Sequence, residues 1–324
     1  MYYRNRIDQV DFNGAKFNSF LYFDTISNRK NLKKSGQLII ELKVHLNPDN
    51  TVATVGPFAD NNNMSFKTGA WPENVLKAFK KTYQLTGQGF WDRKFVLTNN
   101  SYSYFDLFFT QDKKGKLTDK TKLEVPPMIT KATMVDGVLT EPDVHNYQIQ
   151  HNIFFDNETN NGVITVHPDV VCRFILRLVD TAGEAHKSIK LSYFTHFKTQ
   201  RGVFRPIAPF SPTYFRSDSE HYSQSDILAE INFFKGIMLV QNTHVHEIGH
   251  AIGLDHSGKV LNEPKCVTAM ASGDQNANVC YGTTFKSASN ILGRGNRLLP
   301  MNAEPWKHAL KLMTKANAWQ AKVL

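Results

Sequence analysis

The front of the chain alternates between apolar and polar residues, which is typical of strands that bury one face. The clearest run covers residues 38–46 and ends in the turn sequence Asn47-Pro-Asp. Further strand patterns follow at about 93–98, 102–110, 149–155, 171–179 and 188–197. We therefore predict that residues 1–70 form a β-rich extension and that more strands follow it.

Helical spacing first occurs after Pro72, a residue that suits the first turn of a helix. Apolar residues then recur at intervals of three and four, which predicts a helix over 75–86. A second helical pattern covers 226–253, and Pro305 opens a last helix near the end of the chain. Strands at the front, with helices in the middle and at the end, predict an α+β fold.

Composition excludes several classes of protein. Of the 324 residues, 41% are hydrophobic and 21% are charged, so the chain can bury a core and is neither disordered nor fibrous. No apolar run approaches the roughly 18 residues that a membrane helix needs. The basic start, Met1-Tyr-Tyr-Arg-Asn-Arg, is not followed by an apolar stretch, so we recognise no signal peptide.

The formal net charge of +9 favours acidic partners in general. The basic residues are scattered, however, and their densest groups lie in polar, loop-like segments without an aromatic motif that would stack on bases. We therefore predict solvated loops rather than a nucleic-acid site.

The three cysteines cannot all pair within one chain. Cys172 lies in an apolar strand pattern and is predicted to be a small core residue. Cys266 and Cys280 bracket a polar segment, and they could form a disulfide in an oxidising compartment or remain free thiols elsewhere.

The residues with the clearest chemistry form one motif, His-Glu-Ile-Gly-His-Ala-Ile-Gly-Leu-Asp-His-Ser, which begins at His246. On a helix, positions i and i+4 share a face, so His246 and His250 can present two imidazoles to one zinc ion. Gly253 can adopt the left-handed conformation that ends a helix, and the chain then returns His256 as a third ligand. Three neutral imidazoles leave one position on Zn²⁺ open, as in catalytic sites. Glu247 flanks the metal and is our candidate catalytic base.

The same dozen residues resemble the zinc-binding consensus of the metzincin metallopeptidases, and they are especially close to its matrixin version. The resemblance implies a twisted mixed sheet above a cleft, with a backing helix at 75–86, an active-site helix within 226–253 and a terminal helix at 305–320. It also implies that residues 71–324 form the catalytic domain, with an upper part to about residue 256 and a lower part over 257–324.

Metzincins also carry a methionine in a turn below the zinc, and this chain offers two candidates for that position. Leu292 lies in Ser-Asn-Ile-Leu-Gly-Arg-Gly-Asn, which matches the form Asn-Ile-Met-Gly-x-Gly with leucine in place of methionine. Met270 is the alternative. We favour Leu292 because turn-forming residues surround it and because leucine nearly matches methionine in volume. Cys266 and Cys280 would then belong to an insertion between the third ligand and the turn.

The stretch from Asn290 to Trp306, together with the missing signal peptide, is similar to the metallopeptidase effector domains of bacterial type VI secretion spikes. This likeness implies delivery by a secretion-machine carrier into the periplasm of a target bacterium. It also implies an immunity or inhibitor protein that restrains the enzyme in producer cells.

These expectations combine into a zinc-dependent endopeptidase that acts on peptide or protein substrates as an antibacterial effector. The alternatives are a secreted protease with another role, a hydrolase of cell-wall peptides, a binder of anionic polymers, and a zinc-holding binding protein without turnover. An intact Glu247 argues against the last, because a protein that only holds zinc needs no base.

Two further expectations concern other segments. If the metzincin resemblance holds, substrate should add as an antiparallel strand to an edge strand, and the alternating segment 188–197 is the predicted edge. A weak candidate cation site is formed by Asp218, Glu220, His221 and Asp226. We favour instead a solvated loop with a helix cap at Ser225 or Asp226.

Overall fold

The computed structural model is an α+β protein with one large mixed sheet and several helices, as the sequence predicts. It describes residues 3–23, 36–58, 64–100, 169–198, 202–207, 221–224, 226, 228–274 and 277–324, with six short strands between residues 109 and 164. The predicted strands at 102–110 and 149–155 lie mostly outside the described residues. None of the described helices is long and apolar enough to cross a membrane.

The strands are β1 Tyr3–Phe12, β2 Ala15–Phe23, β3 Gly36–Asp49, β4 Thr54–Phe58, β5 Met64–Gly69, β6 Phe95–Thr98, β7 Phe109–Gln111, β8 Leu117–Asp119, β9 Met134–Val135, β10 Val138–Leu139, β11 Phe154–Asp156, β12 Gly162–Ile164, β13 Val170–Val179, β14 Lys187–Lys198, β15 Phe204–Pro206, β16 His221–Ser223, β17 Ala229–Phe234, β18 Ile237–Asn242 and β19 Gln320–Val323. The α-helices are α1 Glu73–Trp91, α2 Thr243–Ala251, α3 Ser257–Val260, α4 Pro264–Ala271, α5 Phe285–Ala288 and α6 Glu304–Thr314. Short 3-10 helices cover Ala182–Glu184, Asn278–Tyr281 and Pro300–Ala303.

The large sheet runs in the order β19-β6-β13-β3-β14-β5-β4, with β3 at its centre. β3 is parallel to β13 over residues 36–45 and parallel to β14 over residues 44–49, and β2 pairs with it antiparallel. Leu38, Ile40 and Leu42 alternate along β3 and are fully buried. β3 and β5 belong to the predicted N-terminal extension, residues 1–70, and they hydrogen-bond to β13 and β14 of the predicted catalytic domain. One sheet therefore contains strands from both sides of the boundary predicted at residue 70.

The prediction that residues 188–197 form an edge strand is wrong. β14 pairs with β3 and β16 on opposite sides over residues 190–192, and with β5 and β15 on opposite sides over residues 196–197. Ile189, Leu191 and Phe194 are fully buried in this strand. Its neighbouring strands come from other segments of the chain, so no pattern within β14 itself could reveal that they pair with it.

Helix α1 covers the predicted range 75–86 and continues to Trp91. Its buried residues recur at helical spacing and are Val75, Phe79, Tyr83, Gly87 and Trp91. The side chains of Gln84 and Gln88 hydrogen-bond to the backbone of Leu176 in β13, so the helix covers that part of the sheet. A Cβ atom on Gly87 would collide with the side chain of Ile248 in α2. The glycine therefore lets α1 approach α2 closely from behind.

Two predicted helices are shorter than the sequence pattern suggested. Most of 226–253 is not helical, because β17 and β18 form a hairpin around Lys235 and Gly236, which both have positive φ, and α2 begins only at Thr243. The predicted terminal helix at 305–320 ends at Thr314, where Lys315 takes the left-handed conformation with φ of 58°. The chain then returns to the sheet as β19, paired with β6.

Candidate metal centre

Helix α2 carries the first half of the histidine motif and ends where the motif requires a turn. Gly253 has a φ of 88°, and a Cβ atom there would collide with the backbone of Phe12 at the tip of the β1–β2 hairpin. The side-chain amide of Asn13 in the same tip donates a hydrogen bond to the carbonyl of Gly253, 3.0 Å away. This contact fixes the direction in which the chain leaves α2 toward His256.

The structure brings the three predicted ligands together. One ring nitrogen from each of His246, His250 and His256 lies within 4.8 Å of the others. The Nε2 atoms of His246 and His250 are 3.0 Å apart, and the ring of His256 has its centre 4.7 Å from that of His250 and 5.5 Å from that of His246. The three imidazoles therefore face a common point.

The hydrogen bonds behind two of these rings determine which nitrogen faces that point. The Nδ1 atom of His246 lies 2.6 Å from the carbonyl oxygen of Ile291, and the Nδ1 atom of His250 lies 2.6 Å from that of Leu254. A carbonyl can only accept, so each Nδ1 carries the proton and each Nε2 presents a lone pair. Two lone pairs 3.0 Å apart repel each other unless a cation lies between them. This donor set therefore fits a metal ion such as zinc.

Gln241 in β18 holds this arrangement from the other side. Its side-chain nitrogen donates to the carbonyls of Ile291, at 3.0 Å, and Gly293, at 2.8 Å. The same nitrogen lies 2.9 Å from Nδ1 of His246, but both of its hydrogens are already used by the carbonyls. Gln241 thus joins β18 to the turn at 290–295, a role that no motif in the sequence indicates.

Burial keeps the histidines neutral at ordinary pH. Desolvation lowers the pKa of His246 well below its usual value, with a further lowering by His250 and His256. Desolvation likewise lowers the pKa of His250, and desolvation followed by the charge of His250 lowers the pKa of His256 to about 3. Neutral imidazole is the form that binds metal ions.

The two candidates for the turn below the site lie in different surroundings. Leu292 is fully buried in the turn at 290–295, and its methyl groups lie against Gly249 on α2. Met270 lies in α4, where its sulfur is 3.7 Å from Sγ of Cys266. Leu292 is thus the candidate beneath the histidine helix, while the assignment of a metzincin turn stays a prediction.

Cys266 and Cys280 form a disulfide, and Cys172 is a buried free thiol. The residue after Cys280 is Tyr281, whose ring centre lies 4.0 Å from that of His256 and 5.8 Å from that of His246. The disulfide therefore anchors the short helix that places an aromatic ring against two of the predicted ligands. Sequence reasoning missed Tyr281, because its contact depends on the path of an irregular segment.

A cavity of about 70 Å³ opens beside His246 and Glu247. Its remaining lining comes from β17, β18, the start of α2, the 3-10 helix at 278–281 and the turn at 290–295, namely Glu230, Asn232, Gln241, Thr243, Asn278, Tyr281 and Arg294. A group bound in this cavity could therefore contact both the histidine cluster and the carboxylate of Glu247.

The predicted helix cap at Asp226 is wrong, because no helix begins there. The carboxylate of Asp226 accepts hydrogen bonds from the backbone N–H and the hydroxyl of Ser223. Asp218 and Glu220, which the weak cation candidate also needs, lie outside the described residues, as do Ser225 and the side chain of His221.

No protein-family model matches the chain, and comparisons with curated proteins and with solved structures give no match either. The function must therefore be inferred from the geometry of the site.

Proposed function

We propose that this protein is a zinc-dependent peptidase. The observation that carries the proposal is the convergence of three neutral imidazoles, His246, His250 and His256, beside a cavity that Glu247 also lines. A zinc-binding protein without turnover would need the three ligands but neither the cavity nor the carboxylate.

In this proposal, Nε2 of His246, Nε2 of His250 and one ring nitrogen of His256 hold the ion. A zinc ion bound there would lower the pKa of a water molecule to about 7 and polarise the carbonyl group of a peptide bond. Glu247 would take a proton from the attacking water and pass it to the nitrogen of the leaving amine. The carbonyls of Ile291 and Leu254 would keep two ligand rings in the required orientation.

Two substitutions separate metal binding from catalysis. Glu247→Gln should keep one zinc per chain and lose peptide hydrolysis, while His250→Ala should lose both. Zinc is counted by elemental analysis of the folded protein, and hydrolysis is followed on a mixture of unfolded protein and cell-wall peptides. Folded wild-type protein that binds no zinc after exposure to the ion would refute the proposal.

For the biological role, we propose an antibacterial effector that acts in the periplasm of a target bacterium. The Cys266–Cys280 disulfide supports an oxidising compartment, because such bonds persist in the periplasm and outside cells but are rare in the cytosol. A secreted protease with another role would share this feature, so the two candidates need a functional test.

The test is expression in a bacterium with and without an added periplasmic leader, each beside the Glu247→Gln variant. Growth arrest that needs both the leader and Glu247 supports the effector role. Normal growth in all four strains, with the protein present in the periplasm, would contradict it and favour the secreted protease.

A further inference from the structure

The cavity beside Glu247 is lined mainly by hydrogen-bonding and charged side chains, and this composition indicates what it binds. The inference rests on the proposed peptidase function, since it concerns the substrate of the same site. Among the described lining residues, Tyr281 supplies the one phenyl ring, and the hairpin, the start of α2 and the turn at 290–295 supply mostly amides, carboxylates and a guanidinium. An apolar side chain would find few apolar partners there.

Two opposite charges lie on this wall without forming an ion pair with each other. Arg294 donates one hydrogen bond, from Nη2 to the carbonyl of Asn278 at 3.0 Å, and no described carboxylate lies within 4.0 Å of its guanidinium. Glu230 likewise has no ion pair in the part of the chain that the structure describes. Both side chains are partly buried. Each retains most of its hydrogen-bonding capacity for a ligand.

The register of the β17–β18 hairpin explains why Glu230 faces inward. Glu230 is opposite Gln241, and these two side chains share the face that lines the cavity. Ile231 and Phe233, on the alternate positions of β17, are 62% and 66% exposed. The strand therefore turns a carboxylate toward the site and leaves apolar side chains in solvent, the reverse of what burial alone would favour.

Charge balance narrows the choice of ligand. A group with only a carboxylate would pair with Arg294 and be repelled by Glu230, and a group with only an ammonium would meet the opposite problem. An apolar group would desolvate both charges without compensation. A group with both a carboxylate and an ammonium would satisfy both side chains with charge-assisted hydrogen bonds.

We propose that this cavity binds a substrate residue whose side chain ends in both a carboxylate and an ammonium. The side chains of ordinary proteins carry one of these charges and never both. A diaminodicarboxylic acid residue in a bacterial cell-wall peptide carries both at its free end. The substrate class is therefore the peptide stem of the cell wall, with Arg294 and Glu230 as the specificity-determining residues.

The experiment uses the full chain, loaded with zinc, and four synthetic stem peptides that differ at one position. That residue ends in both charges (a diaminodicarboxylic acid), in an ammonium (lysine), in a carboxylate (2-aminoadipic acid) or in neither (norleucine). We expect kcat/KM for the first to exceed each of the others by about tenfold or more, because a hydrogen bond between charged groups has about that effect. An ordinary peptide with a C-terminal lysine, which also carries both charges, is the fifth substrate.

Two variants test whether Arg294 recognises the carboxylate of the substrate residue and Glu230 its ammonium. Arg294→Gln should abolish the preference over the lysine peptide and keep the preference over the 2-aminoadipate peptide, and Glu230→Gln should do the reverse. Arg297→Gln, an exposed arginine three residues along, is the matched control and should change neither preference. Arg294→Lys should restore part of the preference, which a purely structural role would not do.

The outcomes separate this inference from the proposed function. Equal kcat/KM for the four stem peptides would overturn the inference and leave the peptidase intact. Faster hydrolysis of the C-terminal lysine peptide than of the stem peptide would also overturn it. If none of these peptides is cleaved but unfolded protein is, the inference fails and the peptidase proposal stands. If unfolded protein is not cleaved either, the peptidase proposal fails, and calorimetric binding of the four stem peptides to the Glu247→Gln protein still decides the cavity's ligand.

Discussion

Two regions of this molecule are stabilised in different ways. The sheet with α1 and α6 surrounds one continuous apolar core, in which Phe79, Phe95, Phe174 and Trp306 are fully buried. The loop-rich region, residues 257–303, has short helices in its described part and a small apolar cluster around the Cys266–Cys280 disulfide, and it adds Ile291, Leu292 and Ala303 to the main core. In this region, hydrogen bonds of polar side chains and one disulfide supply much of the stabilisation that apolar packing supplies in the core.

The polar side chains of the loop-rich region replace backbone hydrogen bonds that regular structure would supply. Glu263 accepts from the N–H of Thr283 at 2.6 Å, and from the hydroxyls of Thr283, Thr284 and Ser287. The side-chain oxygen of Asn290 accepts from the N–H of Leu292 at 2.8 Å. The turn that supports the histidine cluster is thus built on buried polar contacts.

The candidate metal site lies where the two regions meet. His246 and His250 come from α2, which packs on the apolar core, whereas His256 immediately precedes the loop-rich region. Destabilising either region should therefore perturb the histidine cluster, but different conditions should destabilise each region. Reduction and acidification should act through the loop-rich region, because it holds the disulfide and the buried carboxylate of Glu263.

The largest expected effect is in the apolar core. Trp306→Ala should lower the free energy of unfolding by about 3–5 kcal/mol, because the ring packs among Trp91, Phe95 and Phe174 and its Nε1 donates to the carbonyl of Arg173. Denaturant titration measures the change, with the exposed Lys311→Ala on the same helix as control. A loss below about 1 kcal/mol would mean that the core does not depend on this ring.

The next effect concerns the disulfide. Replacing Cys266 and Cys280 together by serine should cost about 3 kcal/mol, the value expected for a closed loop of about 15 residues. Zinc affinity should fall as well, because Tyr281 follows Cys280 and packs on His256. Reductant should reproduce both changes in the wild type and leave the double variant unaffected. Unchanged zinc affinity in the double variant would show that the disulfide does not contribute to zinc binding.

The same contrast explains how much of the molecule the sequence could predict. Helix α1 and β13 were predicted because their apolar residues repeat locally, and the three histidines because one short motif contains them. The β17–β18 hairpin was missed because its apolar residues also fit helical spacing. Gln241 and Arg294 were missed because their roles depend on contacts between segments about 50 residues apart in the sequence.

A smaller, pH-dependent effect is expected at Glu263. Burial raises the pKa of this carboxyl, but hydrogen bonds from Ser287, Thr283 and Thr284 outweigh it and the net pKa is lowered. A lowered pKa stabilises the fold above the ordinary carboxyl pKa of about 4.3, and that contribution is lost as the pH falls through the folded-state value.

Glu263→Gln should therefore cost about 1–3 kcal/mol at pH 7, because a neutral amide is a weaker acceptor and has one acceptor oxygen instead of two. The difference from wild type should shrink as the pH falls below about 4.3. Thermal unfolding across this pH range measures it, and the exposed Asp274→Asn is the control. If the stability difference between Glu263→Gln and wild type grows on acidification, the ionised carboxylate does not stabilise the fold and this prediction is wrong.

The smallest effect is expected in the turn beneath α2. Leu292→Met should change stability by less than about 1.5 kcal/mol, because the two side chains have similar volumes and methionine adapts to its neighbours. The methyl groups of Leu292 lie against Gly249 on the helix that carries His246 and His250, and methionine can fill the same space, so zinc affinity should also be retained. Met270→Leu is the matched exchange at the other candidate position, near the disulfide. If Leu292→Met leaves zinc affinity unchanged while Met270→Leu lowers it, the floor of the site lies at Met270, and the support that we assign to the turn at 290–295 is wrong.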